Sequence, residues 1–81
     1  MRIDYSATFR RGFKSLPDKI KKKFEKQIHF LTRNLRHPSL KAKKYEKIRS
    51  IWQARVDDNY RFYFLISNDT YILLDIKKHP K

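Results

Sequence analysis

Apolar residues recur every three or four positions between residues 9 and 35, and from residue 51 onward they alternate. Ahead of the first pattern, Arg2-Ile3-Asp4-Tyr5 alternates briefly and predicts a first or edge strand. Ser6 suits a helix N-cap, and Phe9, Phe13 and Leu16 then form one stripe of a short helix around the sole glycine, Gly12. Pro17 and Asp18 suit the first turn of a second helix, where proline forfeits no hydrogen bond and an acid complements the dipole. Ile20, Phe24, Ile28, Leu31 and Leu35 continue it as a long amphipathic helix with Lys19, Lys21, Lys22, Lys23, Lys26 and Arg33 on the other face. His37-Pro38 is expected to end it, because a residue before proline avoids helical geometry. Only Ser-Leu-Pro separates the two helices, which predicts a helical hairpin.

After a basic loop at 39–44, the period becomes two. Residues 45–49 are a candidate strand, and 51–56, 60–66 and 71–76 are stronger ones, rich in β-branched and aromatic residues. Ser67-Asn68-Asp69 is a turn. The expected fold is α+β: a short N-terminal strand, then a two-helix hairpin packed on an antiparallel meander sheet. One face of the sheet meets the helices and the other is open.

Within the meander, Trp52, Ala54 and Val56 alternate with Gln53 and Arg55, while Tyr60, Phe62, Phe64 and Ile66 alternate with Arg61, Tyr63 and Leu65. A three-residue loop at 57–59, with Asn59 in a left-handed conformation, pairs Val56 with Tyr60 and Arg55 with Arg61. A two-residue loop shifts the register and sends the arginines to opposite faces. The first is expected. Like charges opposed on a sheet are unfavourable, whereas guanidinium groups fork onto phosphate oxygens and stay charged. The pair therefore points to a polyanionic ligand; the competing reading has each arginine paired with Asp57, Asp58 or Asp75.

Charge strengthens the ligand reading. Lys and Arg number 21 against 8 acids, a formal net charge of +13. Residues 1–44 carry 14 of the bases and 3 of the acids. Such an excess suits a polyanion or an acidic protein partner; a merely solvated lysine surface is the bland alternative. Same-sign charge opposes self-association, so the free chain is expected to be a monomer. With 81 residues, 40% of them hydrophobic, residues 1–81 are expected to form one small domain. Cysteine is absent, no apolar run follows Met1, and no segment has a membrane span's length, so a cytoplasmic, membrane-free protein is expected. Three scattered histidines, His29, His37 and His79, have no metal-ligand spacing. No phosphate loop or catalytic triad can be drawn, and neither metal nor cofactor is expected. Alone, His79 reads as a solvated bystander near a terminus.

The ordered set comprises the early strand, the basic helical hairpin ending at His37-Pro38, and Leu40-Lys41-Ala42-Lys43-Lys44. It continues through Ile51-Trp52-Gln53-Ala54-Arg55-Val56 and Asn59-Tyr60-Arg61-Phe62-Tyr63-Phe64 to the closing strand followed by His79. This set resembles the RelE/ParE superfamily of toxins from type II toxin–antitoxin systems over nearly the whole chain. The resemblance implies a concave basic sheet face. In the RelE-like branch, that face acts as a ribosome-dependent mRNA endoribonuclease: a ribose 2′-hydroxyl attacks the adjacent phosphate, cutting the message and inhibiting translation. Carried over, Arg61 and Arg55 stabilise the charged transition state and His79 protonates the leaving oxygen. Gln53, Tyr63, Lys43, Lys44, Lys77 and Lys78 are the expected RNA contacts. Relatives stack an aromatic from a tail beyond the histidine on a base; Tyr60 or Tyr63 is expected in that role here. The resemblance also implies a cognate antitoxin, acidic where it wraps the toxin and anchored at Phe13 or Phe30, with the ribosome and mRNA as further partners. A ParE-like gyrase inhibitor and a non-catalytic basic RNA- or protein-binding module are the alternatives on this fold.

Overall fold

Ser6 starts the first helix: its Oγ accepts the Phe9 N–H at 3.0 Å and donates to the Leu74 carbonyl at 2.9 Å, joining the helix to the last strand. The computed structural model describes residues 1–79. The order is β1 (Arg2–Tyr5), α1 (Ala7–Lys14), α2 (Asp18–Arg33), β2 (Lys43–Glu46), β3 (Ile51–Arg55), β4 (Tyr60–Ser67) and β5 (Thr70–Lys78).

The expected α+β architecture is present as two helices over one five-stranded sheet of order β1-β5-β4-β3-β2. β2 to β5 form the antiparallel meander, and β1 adds in parallel to β5, so the sheet is mixed. Phe9, Phe24 and Leu31 from the helices pack on Ala54, Phe62, Phe64, Leu73 and Ile76. Phe24 meets Phe62 edge-on, ring centres 5.3 Å apart. Gly12 allows α1 to lie close to β5: a Cβ there would sit 3.0 Å from the Ile76 carbonyl oxygen.

The sequence pattern misplaces three features. α2 stops at Arg33, short of His37, because Asn34 turns extended (φ −159°, ψ 106°) and its Oδ1 accepts the Arg36 N–H at 3.0 Å. Such local side-chain bonds compete with the helix. The fourth strand from the C-terminus is Lys43–Glu46, earlier than 45–49. Residues 47–50 instead form a turn, with Arg49 bonded to Glu46 and Ser50 at φ 55°. Asn59 does not take the left-handed conformation, which is confined to Lys41, Ser50 and Asn68 among the described residues. Asp57 closes the loop in its place, its Oδ1 accepting the N–H groups of Asn59 (2.8 Å) and Tyr60 (2.9 Å).

One irregularity aims the site. Phe62 pairs with Ile76 and Phe64 with Leu73, so Leu74 is an extra residue in β5. Leu73 and Ile76 both reach the core. An unbroken alternation from Leu73 would have turned Asp75 and Lys77 towards the helices; the bulge sends both to the open face.

Candidate functional site

Arg55 lies directly opposite Arg61, and Gln53 opposite Tyr63, in the β3–β4 pairing. The three-residue loop register is therefore present and both arginines share the open face. Lys43 stands opposite Gln53 on β2, and Lys77 opposite Arg61 on β5. A hollow of about 720 Å³ opens there, lined by Lys41, Lys43, Lys44, Tyr45, Gln53, Arg55, Arg61 and His79. Its lining contains five cationic residues and no carboxylate.

Arg55 is held by its backbone on both sides. Its N–H donates to the Leu40 carbonyl at 2.8 Å, and its carbonyl accepts Gln27 Nε2 at 2.8 Å. Gln27, buried on α2, also donates to the Ser39 carbonyl (3.0 Å) and accepts the Ser39 hydroxyl (2.8 Å). A buried amide bonded at both ends orders its surroundings. The Arg55 guanidinium pairs with Asp58. That carboxylate is 86% exposed, so the pair is screened and easily exchanged for another anion. Arg61 makes no ion pair among the described residues. Its Nη1 donates to the carbonyls of Asp57 (2.6 Å) and Tyr60 (3.1 Å), leaving the other donors of the fork uncommitted. The carboxylate-pairing alternative thus holds for Arg55 and not for Arg61.

Asp57 ties this loop to α2 through Lys23, whose Nζ lies 3.3 Å from Oδ2. Burial pushes its carboxyl pKa up, but the Asn59 and Tyr60 N–H groups and Lys23 outweigh that and hold it below the usual carboxylate range.

His79 continues β5 past its end, its N–H donating to the Asn59 carbonyl at 2.6 Å. The ring joins the arginines in the hollow. Its Nδ1 is shut from solvent with no hydrogen-bond partner among the described residues, and folded proteins leave few buried polar atoms so.

The other expected contacts divide. Gln53 and Lys43 line the hollow. Lys44 lies at its rim with its ammonium 5.4 Å from the Trp52 ring centre. Tyr63 shares the face but is only 6% exposed, covered by Tyr45 (4.9 Å, edge-on) and by the Lys77 ammonium at 5.3 Å. Burial and then the Tyr45 phenol push its hydroxyl pKa up, so it stays protonated near neutrality. Lys77 belongs to an adjoining hollow, and Lys78, opposite Tyr60, falls on the alternate face of β5. Tyr60 packs against the core. The aromatic open to solvent on this face, among the described residues, is Tyr45, 58% exposed. Tyr45 and Lys41 are site residues that the sequence pattern does not single out: Tyr45 is the extra residue of a bulge in β2, between Lys44 opposite Trp52 and Glu46 opposite Ile51. No cluster of three or more metal-ligating side chains occurs among the described residues, and no helix is long and apolar enough to cross a membrane.

Behind the sheet, α1 and α2 leave an apolar groove of about 540 Å³ floored by Phe9, Phe13, Phe24 and Ile28 and edged by three bases, Arg10, Lys14 and Lys21, and one acid, Glu25. Phe13 lines it, whereas Phe30 stacks on His37 at 3.8 Å.

Known structures share this fold. The YoeB/ParE toxin from Agrobacterium tumefaciens matches with a TM-score of 0.82 over 99% of this chain and 100% of that one, at 13% identity. The toxin–antitoxin complex YoeB–YefM from Staphylococcus aureus gives 0.79 over 99% and 98%, at 17% identity. The archaeal RelE–RelB complex from Pyrococcus horikoshii gives 0.78 over 95% and 92%, at 18% identity. No curated protein matches the chain significantly. Residues 3–80 match the family described as ParE toxin of type II toxin–antitoxin system, parDE. With nearly its whole length inside that match, the chain belongs to this family, and is a type II toxin of the RelE/ParE superfamily.

Proposed function

We propose that this toxin is a ribosome-dependent mRNA endoribonuclease. The observation that carries the reading is the convergence of Arg55, Arg61 and His79 in one hollow free of carboxylates. The two guanidinium groups hold the scissile phosphate. The adjacent ribose 2′-oxygen attacks phosphorus and gives its proton to solvent, the bond to the 5′-oxygen breaks, and His79 protonates that leaving oxygen. The products are a 2′,3′-cyclic phosphate and a 5′-hydroxyl end. Fixed cations aimed at developing negative charge lower such a barrier, and a histidine transfers protons near neutral pH.

The toxin acts in the cytoplasm, is monomeric when free, and is neutralised by a cognate antitoxin. An acidic antitoxin segment docks in the α1–α2 groove, its apolar side chains on Phe13 and its carboxylates at Arg10, Lys14 and Lys21. Two of the similar structures are complexes with antitoxins, YefM and RelB.

The second reading, a gyrase inhibitor, is favoured by the match to the ParE toxin family in particular. Purified toxin added to a translation reaction, with messages read by primer extension, separates the two when gyrase supercoiling is assayed in parallel. Codon-aligned cuts with unaffected supercoiling are expected. Intact message with blocked supercoiling would establish the gyrase reading instead.

A further inference from the structure

A second hollow of about 440 Å³ adjoins the cationic one on the same sheet face, and Tyr45 lines both. Its walls include Tyr45, Tyr63, Arg49, Asp75 and Lys77, with apolar Ile51 and Leu74 beneath. Tyr45 is propped edge-on against Tyr63, so its ring is fixed yet open to solvent. Asp75 is the sole acid lining either hollow among the described residues. Its Oδ1 accepts the Ile76 N–H at 2.8 Å, while Oδ2 lies 4.0 Å from Lys77 Nζ, too far for a committed hydrogen bond. Tyr63 and Arg61 are two residues apart on β4, a rise of about 6.7 Å, so the two hollows sit side by side at nucleotide scale.

We infer that this second hollow is a nucleobase subsite, with Tyr45 as the stacking wall and Asp75 as the reader of the base edge. The inference rests on the RNA-cleavage reading and adds to it a specificity. An aromatic face stacks on any base. A carboxylate acceptor selects those with an exocyclic amine, as it does for cytosine N4. Adenine, cytosine and guanine each have one; uracil has none. The β5 bulge is what brings Asp75 to this face. Arg49 and Lys77 supply donors at the mouth, either to ring acceptors or to the next phosphate.

The test is an amide chemical-shift titration of the intact protein with 2′-O-methyl tetranucleotides, which cannot be cleaved by 2′-attack. One set carries each base beside the central phosphate and one is abasic there. Wild type should bind base-bearing probes roughly tenfold tighter than the abasic one, with shifts at Tyr45 and Asp75 and with uracil weakest. Tyr45→Leu should bring base-bearing probes down to that variant's own abasic affinity; Tyr45→Phe should behave as wild type. Asp75→Asn should erase the bias against uracil. Equal binding of base-bearing and abasic probes, or wild-type selectivity in Tyr45→Leu, overturns the subsite while the phosphate site stands, provided Arg61→Ala still weakens the abasic probe. If no probe shifts any residue of either hollow, both readings fall.

Discussion

The buried amide of Gln27, on α2, donates to the main-chain carbonyl of Arg55 on β3 at 2.8 Å. Through this bond and its two bonds to Ser39, a helix residue fixes the end of the strand that presents a site arginine. Gln27→Leu strands the Arg55 and Ser39 carbonyls and the Ser39 hydroxyl without partners. It should cost about 3 kcal/mol or more, since each of the three part-buried groups left unsatisfied costs about 1–3 kcal/mol. Urea unfolding measures the loss, and an unchanged midpoint would deny Gln27 this role.

Gly12→Ala sets a helix-propensity gain against a steric clash. The added methyl favours the helix by about 0.5–1 kcal/mol, but it meets the Ile76 carbonyl oxygen at 3.0 Å. That oxygen is main chain of β5 and cannot swing away, so net destabilisation of about 1–2 kcal/mol is expected. Thermal unfolding decides the sign.

Asp57 makes stability depend on pH at the acid end. Its pKa in the folded chain lies below the usual value, so its contribution is complete above the unfolded carboxylate pKa of about 3.9. It is lost as pH falls through the lower folded value. Asp57→Asn keeps an acceptor for the Asn59 and Tyr60 N–H groups but no charge for Lys23. The difference in unfolding free energy between wild type and variant should shrink as pH drops from 6 towards 2. A constant gap across that range would place the effect in packing instead.

Lys14→Glu with Lys21→Glu reverses charge on the rim of the α1–α2 groove, away from the open sheet face. The double variant should still arrest growth when induced but should resist rescue by the cognate antitoxin, with at least tenfold weaker binding in calorimetry. Full rescue would move the antitoxin contact elsewhere.

The register of Arg55 against Arg61 was legible in the sequence, because alternation on both strands and the three-residue span 57–59 agree on it. The helical hairpin was legible for the same reason, each stripe predicting its buried face. What escaped depends on partners distant in the chain. Gln27 looked like one polar residue among many on α2, yet its partners lie 12 and 28 residues away. The Leu74 bulge follows from how β4 and β5 pack together, not from β5 alone. β2 carries Lys43, Lys44, Tyr45 and Glu46, an edge strand with no apolar alternation to announce it. Tyr45 was lost from view with it, and Tyr63, chosen for stacking, proves to be the support beneath Tyr45.

The central claim is that Arg55 and Arg61 act together on one phosphate. Single-turnover cleavage of message on programmed ribosomes by Arg55→Ala, Arg61→Ala and the double variant tests it most directly. Each single change should slow cleavage about 10²–10³-fold, and the double should lose far less than the product of the two, as groups serving one site do. Wild-type cleavage by Arg61→Ala, or losses that multiply in full, would contradict a shared site.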